Sequence, residues 1–147
     1  MRAGDLAAPF PTVATDTLAV EAARLLATQN LPGLIVVDTR ERPLTILAGT
    51  QVLRMAVPRY IQDDPPLARV VDEAAADVFI EELGTRTVAD VLPEQPRELP
   101  MVDQAATVLE IAALMARTRT PLVAVVGTDG ALVGAVTLDA LLDRLVG

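Results

Sequence analysis

The chain has 147 residues, enough for one compact domain or two small halves sharing a core, and more than half of them are apolar. Its formal net charge is −8, with one Tyr, two Phe and no Trp, so neither clustered cations for phosphates nor aromatic platforms for bases are present, and no nucleic-acid partner is expected. It has no Cys and no His, which removes thiol nucleophiles, disulfides, the usual zinc sites and imidazole bases.

The first segment, "MRAGDLAAPFPTVATD", carries Asp5 and two prolines where a signal peptide needs an apolar block. No run of eighteen apolar residues follows. The expectation is a cytoplasmic protein without membrane insertion. Within that segment "RAGDLAAP" reads as a lead-in turn of helix and "PTVAT" as a short first strand. Asp16 to Asn30 has a helical period, with Leu18, Ala22, Leu25 and Leu26 on one face and Thr15 or Asp16 as cap. "LPGLIVVDTRERPLTILAG" gives strand, polar turn and strand, and Val52, Leu53 and Met55 start a helix.

Asp63 and Asp64 then precede Pro65 and Pro66, a good helix entry. Leu67, Val70, Val71, Ala74, Val78, Phe79 and Leu83 fall on one face, and Gly84 ends the run. This predicts a long amphipathic connector helix whose carboxylates form a solvated face and no metal site.

The rest repeats the opening order. "RTVADVLP" is a second lead-in and "PMVDQ" a short strand. "QAATVLEIAALMARTRT" is a helix with Val108, Ile111, Ala112 and Met115 on one face. "PLVAVV", "GTDG", "ALVGAVT" and "LDALLDRLV" read as strand, turn, strand and helix. Pro11 falls on Pro100 under a shift of 89 residues, and the alignment runs without a gap to Leu53 on Leu142. The lead-in needs about four extra residues in the second copy. The chain is therefore read as α+β: two β-α-β-β-α repeats (1–57 and 87–147) about a pseudo-two-fold axis, with a helical connector (58–86) inserted. Each small sheet is marginal alone, so the copies should cover each other's aliphatic faces. Clefts where they meet would be natural small-molecule sites.

The tandem order, and above all "TPLVAVVGTDGALVGAVTLDALL", resembles tandem CBS domains, the Bateman module. The resemblance implies a non-catalytic regulatory module and a homodimer through the helices beside the sheets, acting on a regulated protein partner. It implies no required cofactor, but AMP, ADP, ATP or S-adenosylmethionine as a regulatory ligand. By that resemblance Thr137 is the hydroxyl at a strand-to-helix corner that meets phosphate, and Gly134 the glycine that lets a ligand approach. The ribose position three residues after Thr137 is Ala140, with the carboxylate of Asp139 one residue early. Arg117 and Arg119 could reach a phosphate, while Val102, Pro121, Leu122 and Val123 would hold the base. The first copy has Thr45, Ala48 and Gln51 at the glycine, corner and ribose positions. Its cleft, formed by Val13, Pro32, Gly33 and Leu34, is the weaker one.

Two other readings stay open. Thr137 is also a sufficient N-cap for the last helix, with Asp139 in its first turn. A ligand-free structural or protein-interaction module then accounts for the chain. An enzyme is not expected, since no nucleophile–base pair can be assembled. "GTDG" lacks the remaining ligands of a Ca²⁺ loop, and "VVGTDGALVG" has neither the spacing nor the following helix of a dinucleotide fingerprint.

Overall fold

The structure is a computed structural model that describes residues 1–29, 31, 33–70, 77–78, 81–96 and 98–147. Its elements are α1 (Ala3–Leu6), β1 (Thr12–Ala14), α2 (Ala19–Gln29), β2 (Gly33–Val37), β3 (Pro43–Ala48), α3 (Gly49–Ala56), α4 (Arg59–Asp63) and a 3-10 segment (Pro65–Val70). Then follow α5 (Val88–Val91), β4 (Met101–Asp103), α6 (Val108–Thr118), β5 (Leu122–Val126), β6 (Leu132–Thr137) and α7 (Leu138–Val146). The order β-α-β-β-α occurs twice, as the duplication requires. The sheets are β1-β2-β3 and β4-β5-β6. The chain divides into two compact units. One holds Met1–Thr12, Ile35–Ile46 and Arg97–Gly147; the other holds Val13–Leu34 and Leu47–Pro96.

In the first unit β4 runs parallel to β5 and β6 antiparallel to it. The parallel pair needs a crossover, and α6 supplies it. Alternation along β5 splits its side chains between two cores. Val123 and Val125 join Val102, Ile111, Met115, Val136 and Leu141 on the helix side. Leu122 and Ala124 join Ala135, Leu99, Ile35, Val37 and Ile46 on the other. Both faces are covered, so the strand is an unbroken apolar run instead of an alternating one. Ile35 and Ile46 occupy the positions equivalent to Ala124 and Ala135, so large side chains of one repeat meet small ones of the other. The helix period of α6 holds: Ile111 and Met115 are buried, and Thr107 Oγ1 caps the helix by accepting from Glu110 N–H at 3.2 Å.

The β2–β3 and β5–β6 turns are equivalent but chemically different. Gly130 has φ 84° and its counterpart Glu41 has φ 62°, a region that suits glycine. Asp38 Oδ1 holds the first turn by accepting from Arg40 and Arg42 N–H at 2.8 and 3.0 Å. The bond from Arg42 is the main reason its carboxyl stays below the ordinary range. Leu132 N–H donates to Glu41 O at 2.9 Å, whereas Pro43, the equivalent of Leu132, has no N–H to return the bond. Glu41→Gly should release left-handed strain and raise stability by about 0.5–1 kcal/mol, read as a higher urea midpoint at unchanged slope.

Each lead-in helix docks on the opposite repeat. In the first unit Ala3 and Gly4 N–H donate to Ala106 and Gln104 O at 2.8 and 3.0 Å. In the second, Val88 and Ala89 N–H donate to Thr17 and Thr15 O at 2.8 and 2.9 Å, at equivalent positions. Thr87 caps α5 together with Asp90, whose carboxyl is lowered chiefly by accepting the Thr87 backbone N–H.

The second unit corrects two sequence expectations. Helix α2 starts at Ala19 because Thr17 Oγ1 accepts from Ala14 N–H at 3.0 Å and folds residues 14–17 into a turn, so Asp16 and Thr15 are not the cap. Asp63–Pro66 is the joint between α4 and the 3-10 segment, not the start of a long helix. Leu67, Val70 and Val78 are exposed, with Val70 at 83%, while Leu83 is buried. Val71, Ala74 and Phe79 lie outside the described residues.

Candidate functional site

Thr137 ends β6 and starts α7. Its Oγ1 accepts from Ala140 N–H at 3.2 Å, the bond expected of an N-cap. Leu138 N–H donates to Pro121 O at 2.9 Å, and Leu122 pairs with Thr137 across the sheet. The fold therefore brings Pro121, Leu122 and Thr137 to one corner, with Asp139 exposed in the first turn of α7. Arg119 stands two residues before Pro121, exposed and in the left-handed conformation at φ 55° and ψ 37°.

A pair of hydroxyls that the sequence reading passed over fixes this link. Thr118 Oγ1 lies 2.7 Å from Thr120 Oγ1 and donates to Leu114 O at 2.6 Å. Thr120 is buried, with its hydroxyl 3.4 Å from Leu122 O. These bonds stitch the end of α6 to the start of β5 and turn Arg119 outward. The alternating "TRTP" was the available signal.

Val102 and Gly134 lie elsewhere. Both pair with Val125, three residues along β5 from Leu122, about 10 Å from the corner. Val102 and Val123 are buried in the helix-side core and Leu122 in the core on the opposite face. The apolar candidates thus share a strand neighbourhood but not one wall. At Gly134 an added Cβ would lie 2.7 Å from Ala8 O and 3.3 Å from Ala7 Cβ. The room that this glycine leaves is taken by the N-terminal segment.

Arg119 and Pro121 also border a groove of about 440 Å³ between α6 and α7, floored by Met115 and Leu141 and flanked by Leu138, Leu142 and Leu145. Those three flanking leucines are exposed. They recur at i, i+4 and i+7, a second apolar stripe in "LDALLDRLV" that marked this surface in advance.

In the second unit Val13, Gly33 and Leu34 are buried, Leu34 completely. Pro32 lies outside the described residues. At the corner of the first repeat Ala48 offers no hydroxyl, and Gln51 Oε1 accepts from Ala48 N–H at 2.7 Å. The ribose-position side chain is thereby turned onto its own backbone. Among the described residues no cluster of Asp and Glu could hold a metal ion, and no helix is long and apolar enough to cross a membrane.

A family model described as the CBS domain matches residues 88–147, the repeat whose corner keeps the hydroxyl. No curated protein matches the chain. Among solved structures, a CBS domain-containing protein of unknown function from Kribbella flavida DSM 17836 is 50% identical, with a TM-score of 0.92 over 100% of this chain and 99% of that one. The CBS domain of a CBS domain-containing membrane protein from Sphaerobacter thermophilus is 26% identical, with a TM-score of 0.73 over 97% and 86%. CBSX2 in complex with AMP, a CBS-pair protein of Arabidopsis thaliana, is 21% identical, with a TM-score of 0.69 over 98% and 95%.

Proposed function

The chain belongs to the CBS-domain proteins, and from that premise we propose that it is a non-catalytic regulatory CBS pair whose second repeat takes an adenosine-type ligand. AMP, ADP, ATP and S-adenosylmethionine are the candidates. The observation that carries this reading is the corner at Thr137. There a hydroxyl opens a nine-residue helix, and exposed Arg119 approaches beside Pro121. A helix N-terminus and a guanidinium both favour a phosphate. The Thr137 oxygen accepts the cap bond and keeps its own proton to donate. Asp139, exposed on the first turn, is the nearest carboxylate for a ribose diol. The AMP complex of CBSX2 supports the ligand class. Binding regulates a partner only through different affinity in two states of the module.

A ligand-free interaction module has its own support. Residue 140 is Ala, Gly134 faces Ala8, and α6 and α7 present an open apolar groove. In that reading a second copy covers Leu138, Leu142 and Leu145, making a homodimer.

Thermal unfolding with each of the four ligands separates the readings. Ligand at 100 times its Kd stabilises the folded state by about 2.7 kcal/mol, several degrees in Tm. Thr137→Val should remove that shift and lower basal stability by about 1 kcal/mol through the lost cap, while Thr137→Ser should keep both. An equal shift in wild type and Thr137→Val rules out the phosphate role. No shift with any of the four favours the interaction module.

A further inference from the structure

Residues 2–8 lie across the second repeat as a thin strap. Besides the bonds of Ala3 and Gly4, Arg2 Nη1 donates to Ala105 O at 3.0 Å. Ala8 exchanges two hydrogen bonds with Ala135, at 3.0 and 2.9 Å, and so covers β6, an edge strand of its sheet. The Ala8 carbonyl fills the space beside Gly134.

The strap is held by backbone more than by side chains. Ala3 is buried, Leu6 and Ala7 are partly buried, and Gly4 contributes no side chain. Lifting it uncovers little apolar surface, and water can satisfy the freed amides and carbonyls. The pairing is peculiar to this lead-in. In the other, Pro93 stands where Ala8 does and has no N–H to donate.

We propose that residues 2–8 are a displaceable strap that competes with an adenosine-type ligand for the space beside Gly134, so that binding in the second repeat releases the N-terminal segment. This rests on reading Gly134 and Thr137 as ligand positions. The ligand must offset the strap's docking free energy, so weakening the strap raises apparent affinity by the gain in the open population. The coupling is reciprocal, and bound ligand must loosen the strap.

The amides of Ala3, Gly4 and Ala135 report strap docking, and AMP is the probe. Ala8→Pro deletes the N–H bonded to Ala135 O, and Ala7, at ψ 130°, already has the extended backbone that a residue before proline needs. Arg2→Ala, at an exposed position, deletes only the side-chain bond to Ala105 O and serves as the second variant. Without AMP, the three amides should exchange at least tenfold faster than those of Val123 and Val125, and saturating AMP should speed them further. The Kd for AMP, by titration calorimetry, should fall at least fivefold in Ala8→Pro and in the same direction in Arg2→Ala. Exchange of the three amides at the core rate overturns the strap. AMP binding with equal Kd in wild type and both variants overturns the competition while leaving the nucleotide reading intact. No AMP binding in any of the three overturns both.

Discussion

Leu122→Ala is expected to cost about 3 kcal/mol, within the range for removing a buried leucine side chain. Leu122 is 1% exposed, and its neighbours Ile35, Ile46, Leu99 and Ala135 come from three separate stretches of chain. None of them can collapse into the space without moving its own backbone, which places the cost near the middle of that range and not at its lower end. Urea unfolding reads the effect as a lower midpoint. A loss under 0.5 kcal/mol, with weakened nucleotide binding, would instead make Leu122 a pocket residue. Ile35→Ala should cost a similar amount, because the contact joins equivalent positions of the two repeats.

Gly134→Ala is the second large effect, about 1–3 kcal/mol. Gly134 is not among the described glycines with positive φ, so its backbone tolerates alanine. The cost comes from the new Cβ meeting Ala8 O at 2.7 Å, a backbone atom that cannot rotate away. Either the Ala8–Ala135 pairing breaks or β6 shifts. A double-mutant cycle with Ala8→Pro distinguishes these, since a broken pairing makes the second substitution much cheaper in the first background. Full additivity would place the strain in β6 itself.

The second repeat was the more legible half. Its helix carries a clean period ending in Ile111 and Met115, Thr107 caps it, and "LVAVV" is the apolar run that a strand covered on both faces requires. The shift of 89 residues, with four extra residues before the second copy, recurs in the docking of Ala3 and Val88 on equivalent carbonyls. The connector was harder. Two prolines after two aspartates suit a helix entry and equally suit the break between α4 and the 3-10 segment. The site was legible only in part. Thr137 at a helix start follows from residue type and position. Grouping Leu122 with Val123 overlooked the two-residue alternation that sends neighbours to opposite faces of a strand. The occupant of the Gly134 space could not be read at all, because a single bridging residue, Ala8, leaves no periodic trace.

The bond from Arg2 to Ala105 spans 103 residues of sequence. During synthesis the segment that closes the edge of β6 is made early, and its acceptors emerge only after about 100 further residues, several seconds later at ordinary translation speeds. Through that interval the early segment is unpaired and open to chaperones or proteases. Such high contact order makes its docking a late event in folding. A ribosome-bound chain arrested before residue 104 should therefore expose these residues to cleavage, and the released full-length protein should shield them.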